Sequence, residues 1–202
     1  MGRPSKNILS SKTIALAALA LVDEKGNFTI PGVAAALGVN ASSLYHHLPG
    51  GRIAIVHRIR EELYAEVDLT PLVDPSTPAL DRLREWMFEI RSALARVPAI
   101  APILVAAPVE DLRTLEIYEA LFVILKDAGV PAARRAAYSA MIDAVILGSA
   151  VDAGSPIPLW RSEGFDLPEL HAIASADNLQ RANDGFSLAV DVVVDAVSKT
   201  EF

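Results

Sequence analysis

Residues 29–47 read Thr29-Ile30-Pro31-Gly32-Val33-Ala34-Ala35-Ala36-Leu37-Gly38-Val39-Asn40-Ala41-Ser42-Ser43-Leu44-Tyr45-His46-His47. Thr29 is a helix cap followed by Pro31, which a first helical turn tolerates. Gly38 suits the left-handed position that ends a helix, and Asn40 can cap the next one. Pro49-Gly50-Gly51 stops that second helix after about Leu48. Val33, Ala34 and Leu37 pack on one side, Val39 and Leu44 fill the angle, and small Ala34 allows a close crossing. This pattern describes a helix-turn-helix. Its second helix exposes Ser42, Ser43, Tyr45, His46 and His47, hydroxyl and imidazole groups able to bond phosphates and base edges. An ordinary pair of antiparallel helices fits the same turn, so the rest of the chain has to arbitrate.

Outward from this stretch the signals are helical. Residues 10–24 are rich in Ala and Leu and stop at Lys25-Gly26-Asn27. A fourth helix is expected over 52–67, with Val56, Ile59 and Leu63 on one face. A proline-bearing linker, Asp68 to Pro78, precedes an amphipathic helix marked by Leu80, Leu83, Met87, Ile90 and Leu94. Pro98 and Pro102 frame a short helix. The helix over 109–127 is apolar on more than one face and is expected to be central. Another runs over 132–151, and 154–168 reads as loop. The stretch 184–199 is ambiguous: its β-branched residues favour a strand, whereas Phe186, Val190, Val193 and Val197 form a helical stripe. With no partner strand in sight it is read as a helix. The predicted fold class is all-α: a three-helix helix-turn-helix DNA-binding unit (1–51), a connecting helix (52–67) and a C-terminal helical bundle (68–202).

The 202-residue chain has a net charge of −7 and is 52% hydrophobic, which argues against disorder. The charge is unevenly spread. Residues 1–60 hold seven Lys/Arg against two acids, net +5, and the remainder is net −12. Such asymmetry suggests a nucleic-acid-binding end on an acidic body. Having no cysteine, the sequence excludes a disulfide scaffold, a thiolate metal site and a thiol nucleophile. Adjacent His46 and His47 diverge by roughly 100° on a helix, a poor metal site. No nucleophile elbow, phosphate loop or paired-carboxylate motif is present, so neither catalysis nor a cofactor is expected. The apolar runs are too short or too interrupted by proline to span a bilayer. A cytoplasmic protein without a membrane partner is expected.

From Lys12 to Leu63 the chain resembles the DNA-binding domain of the tetracycline-repressor (TetR) family of transcriptional regulators. The likeness rests on a first helix ending near Glu24-Lys25-Gly26, then Phe28-Thr29, Val33-Ala34, Leu37-Gly38-Val39 and Leu44-Tyr45-His46-His47-Leu48, with a new helix near Arg52. The resemblance implies that Thr29 caps the second helix and touches phosphate. It implies base reading by Ser42 and Ser43 and phosphate contacts by Tyr45 and His47, with His46 between them. Two positions depart from the family pattern. Gly32 stands at an often polar site, and Pro49-Gly50-Gly51-Arg52 replaces the usual lysine. Arg52 or the backbone N–H groups of its helix are expected to substitute for that lysine.

The resemblance further implies a homodimeric repressor on a palindromic operator, with two recognition helices about 34 Å apart on double-stranded DNA. A small apolar effector would release it. Trp86, Met87, Ile90, Tyr118, Phe122, Met141 and Trp160 are candidate pocket residues, with His171, Arg91 and Asn178 as polar anchors. Tyr138, Ile142, Val145, Phe186, Val190, Val193 and Val197 are the candidate dimer seam, as an intermolecular four-helix bundle. The alternative is a helical ligand-binding or adaptor protein with impaired DNA binding, suggested by Gly32 and the Pro-Gly-Gly loop.

Overall fold

Ser10 opens the first helix through a reciprocal cap. Its Oγ accepts from the Thr13 amide (3.1 Å) while its own amide donates to Thr13 Oγ1 (2.8 Å). Helix α1 (Ser11–Lys25) follows and buries Ile14, Ala15, Ala18 and Val22. The computed structural model describes residues 9–154, 159–162, 164–174 and 178–200. Thr29 caps α2 (Ile30–Leu37) by accepting the Gly32 amide at 3.1 Å. Gly38 ends it at φ 67°, and the Gly38 and Val39 amides close the turn onto the Ala35 and Ala34 carbonyls. Helix α3 (Ala41–His47) then crosses α2, with Leu44 buried between the helices. Asn40 occupies the cap position of α3, but its side chain makes no capping bond.

Helix α4 (Arg52–Leu63) runs along α1 and carries the chain into the body. It stops short of the expected Val67 because two arginines capture the carbonyls at its end. Arg96 donates to Leu63 O, and Arg113 donates to Tyr64 O (3.0 Å) and to Val67 O. The body comprises α5 (Ala79–Ala95), the short α6 (Ala101–Val105), α7 (Leu112–Asp127), α8 (Ala132–Ala153), α9 (Pro168–Ala174) and α10 (Asn178–Ser198). No strand occurs among the described residues.

Helix α5, rather than α7, is the central element. It packs on α7, α8 and α10 and buries Leu83, Trp86, Met87, Ile90 and Leu94. The expectation for α7 fails because Leu112 and Leu115 face solvent, 69% and 47% exposed. Helix α10 settles the strand–helix ambiguity: Phe186, Val190, Val193 and Val197 form one stripe packed on α5 and α8. It begins six residues earlier than expected, and α9, a single short helix, was not foreseen.

Helix α8 has the length and apolar composition to cross a membrane. It also carries Arg134, Arg135, Asp143 and Asp152, and its Ile142, Ile146 and Ala150 row is buried against the body.

Candidate nucleic-acid interface and ligand cavity

The outer face of α3 presents Ser42, Tyr45, His46 and His47 to solvent, with Ser43 half-buried and Thr29 exposed beside them. No charged residue lies between Gly26 and Gly51, so no carboxylate opposes a phosphate there. Two glycine-bearing positions shape this face. At Gly51 (φ 62°) a Cβ would sit 3.2 Å from Tyr45 Cε1 and 3.4 Å from Ile30 Cδ1. The Tyr45 ring therefore lies over bare backbone at the start of α4. At Gly32 a side chain would meet Thr29 Oγ1 at 3.0 Å, crowding the cap of α2. The departure at Gly32 thus has a packing reason.

Arg52, expected in place of the usual lysine, is exposed but held by groups of its own chain. Its guanidinium lies 4.2 Å from the Phe28 ring centroid, donates to Phe28 O and donates to Asn27 Oδ1 at 2.9 Å. It ties the α1–α2 loop to α4. Two other bases of the +5 segment are likewise engaged. Arg58 pairs with Glu61 and Glu62, and Arg60 is buried in the body. At the α4 N-terminus, backbone amides lie beside Tyr45 and the exposed Arg52, placed to meet an anion.

The body holds a cavity of about 410 Å³, partly open to solvent, between α4, α5, α6, α7 and α8. Trp86, Ile90, Leu94, Ile117, Ile146 and Leu147 supply most of its apolar wall. Of the residues expected to line a pocket, Trp86, Ile90 and Tyr118 do so. Met87 is in the core, Phe122 is half-buried elsewhere on α7, and Met141 and Trp160 are each 37% exposed. His171 is exposed, with Nε2 3.0 Å from Ser162 O. Arg91 faces the α5–α10 seam, donating to Ser149 Oγ at 3.2 Å with its guanidinium over Phe186. Asn178 accepts from Arg181 at 3.2 Å. None of these three anchors reaches the cavity.

The polar groups that do line it went unrecognised in the sequence: Arg60, Tyr64, Thr114 and Asp143. Arg60 donates to the carbonyls of Pro108 (2.5 Å), Leu104 (2.6 Å) and Ala107 (2.6 Å), and lies 3.8 Å from Asp111. Tyr118 donates to Asp143 Oδ2 at 3.0 Å. Burial pushes the Asp143 carboxyl above the usual aspartate range, and the bond from Tyr118 works against that shift. Burial also raises both cavity phenols, Tyr64 and Tyr118, with the Asp143 charge adding to the effect. They remain neutral hydroxyls throughout the physiological range. These polar residues come from three helices, α4 and its end, α7 and α8, and a one-dimensional reading registers Asp143 as one more acid on an amphipathic helix.

The seam residues expected for a dimer also lie inside. Tyr138, Ile142, Phe186, Val190, Val193 and Val197 are buried in this chain's own core, and Val145 is half-buried. The stripe spacing marks the face that packs on α5 and α8 of the same chain, which leaves the opposite face to solvent. There Met141, Ala144, Gly148 and Val151 on α8 and Leu188 and Val192 on α10 are exposed.

Solved structures share this arrangement of helices. TetR from Acinetobacter baumannii AYE aligns over 93% of this chain and 96% of its own, with a TM-score of 0.70 at 20% identity. Mycobacterium smegmatis BioQ aligns over 94% and 98%, with a TM-score of 0.69 at 19% identity. The chain has the TetR-family fold. The TetR family protein ActR of Streptomyces coelicolor, solved in complex with (S)-DNPA, aligns over 93% and 98% at TM-score 0.68 and 18% identity. No protein-family model and no curated sequence matches the chain. At these identities the likeness to the TetR-family proteins is one of fold, and what this chain does with that fold rests on its own residues.

Proposed function

We propose that the chain is a DNA-binding transcriptional regulator, a homodimeric repressor released from a palindromic operator by a small, mostly apolar molecule. One observation carries the reading. A carboxylate-free recognition helix exposing Tyr45, His46 and His47 is joined by α4 to a cavity that the far end of α4 itself lines through Arg60 and Tyr64. Helix α4 spans about 18 Å, so an occupant at one end bears on the placement of α3 at the other. The effector then favours a spacing of the two recognition helices that no longer fits successive major grooves. The exposed apolar row on α8 and α10 fits a second copy of the same chain. TetR-family neighbours in ligand complexes support the cavity as an effector site. On this reading the protein acts in the cytoplasm, beside its operator.

Salt-dependent gel shifts against the promoter region of the chain's own gene test the proposal. A specific complex that weakens steeply with salt, and weakens strongly with Tyr45→Ala, is expected. Absence of sequence-specific binding at low salt overturns it. The internal engagement of Arg52, Arg58 and Arg60 favours a second reading, an adaptor with impaired DNA binding. In that case Tyr45→Ala changes nothing measurable.

A further inference from the structure

We infer that the effector is an amine on an apolar frame, its ammonium seated on the Asp143 carboxylate. The inference rests on the reading of the cavity as the effector site. The wall is apolar except for a small polar corner, and the charges in that corner do not cancel. Arg60 is the cation of the cavity, and its terminal nitrogens already serve three backbone carbonyls while Asp111 lies 3.8 Å away. Asp143 has no cationic partner among the described residues and receives only the Tyr118 hydroxyl. An ionised Asp143 therefore leaves the corner one negative charge in excess.

A ligand that fills the cavity strips the remaining water from that carboxylate, and the chemistry of the ligand decides the outcome. A neutral hydrocarbon leaves a dehydrated charge uncompensated, and an anion adds repulsion. An ammonium supplies the missing charge and a charge-assisted hydrogen bond. The neighbouring groups also favour a donor-rich head. Thr114 is 4% exposed and its Oγ1 is buried without a hydrogen-bond partner. It lies one helical turn from Tyr118 on the same face of α7. Having donated to Asp143, the Tyr118 oxygen keeps its lone pairs. Asp143, Tyr118 and Thr114 thus offer three acceptors to a head group with several N–H donors.

Titration calorimetry with the DNA-free protein at neutral pH compares three probes of one shape: naphthylethylamine, naphthylethanol and naphthylacetate. The amine is expected to bind about ten- to hundred-fold more tightly than the alcohol, and the carboxylate most weakly. Asp143→Asn is expected to abolish the preference while leaving the alcohol's affinity in place. Tyr118→Phe keeps the carboxylate and is expected to keep the preference. Equal binding of amine and alcohol, tightest binding of the carboxylate, or no binding of the amine overturns the inference. So does a Tyr118→Phe variant that loses the preference as fully as Asp143→Asn. Because no DNA is present, failure here leaves the regulator reading standing. Amine binding by a chain that fails the gel shift sinks that reading alone.

Discussion

Asp143 shows how a single side chain can work against the fold that holds it. Its carboxyl is held above the ordinary aspartate value by loss of water, although the Tyr118 hydroxyl offsets part of the shift. Tyr64 and Arg60 of the α4 end and Asp111 before α7 are the other ionisable groups around it. Between the ordinary and the raised value, the native chain binds more protons than the unfolded one. Stability therefore falls as pH rises through that window. Asp143→Asn removes the penalty and is expected to raise Tm at neutral pH, on a scale of about 2–4 °C per kcal/mol for a chain of this size. The gain should vanish once the pH drops below the ordinary aspartate value, where both forms are neutral. Thermal melts at several pH values check this, and a lowered Tm at neutral pH would mean that the Tyr118 bond outweighs the burial cost. Arg52 teaches the converse. A sequence count leaves it free for DNA, whereas in the fold it stays exposed but is held against the Phe28 ring and the Asn27 side chain.

Among the elements, α2 and α3 were the most legible because their boundaries are written in local chemistry. Thr29, Gly38 and Pro49-Gly50-Gly51 act within a turn or two of their own backbone, and those signals do not depend on distant contacts. The end of α4 was not legible, since Arg96 and Arg113 reach it from α5 and its loop and from α7. The α3–α4 junction yields a test. Gly51→Ala places a Cβ at positive φ and 3.2 Å from the Tyr45 ring. It is expected to cost about 1 kcal/mol and to displace Tyr45. Operator affinity should then fall several-fold more than the loss of stability by itself implies, measured by gel shift well below Tm. Unchanged affinity would detach Tyr45 from the interface.

For the molecule as a whole, six of the seven residues expected at the dimer seam are buried in the chain's own core. Periodicity identified the apolar stripe of α10 correctly but could not say which neighbour covers it. Since α5 and α8 of the same chain do, the surface left for a partner is the weaker row containing Leu188 and Val192, 67% and 68% exposed. If the proposed dimer forms through this row, a double substitution, Leu188→Glu with Val192→Glu, is expected to leave the helical content intact and give monomers in analytical ultracentrifugation. Operator binding should fall with it, because a monomer engages one half-site. Val193→Glu, facing the core at 2% exposure, is expected instead to unfold the chain. A double variant that remains dimeric would move the seam elsewhere.

The sequence by itself determined the all-helical class, the helix-turn-helix and its exposed recognition face, because caps, breakers and 3.6-residue periodicity are local. Tertiary structure decided which charges remain free, which apolar face is left for a partner, and which polar groups meet in the cavity. Each of these depends on what another element contributes across space. The +5 of the first sixty residues is the clearest case: Arg52, Arg58 and Arg60 carry that charge in the chain, yet Arg58 is paired with Glu61 and Glu62, Arg60 is buried in the body, and exposed Arg52 is held by Phe28 and Asn27.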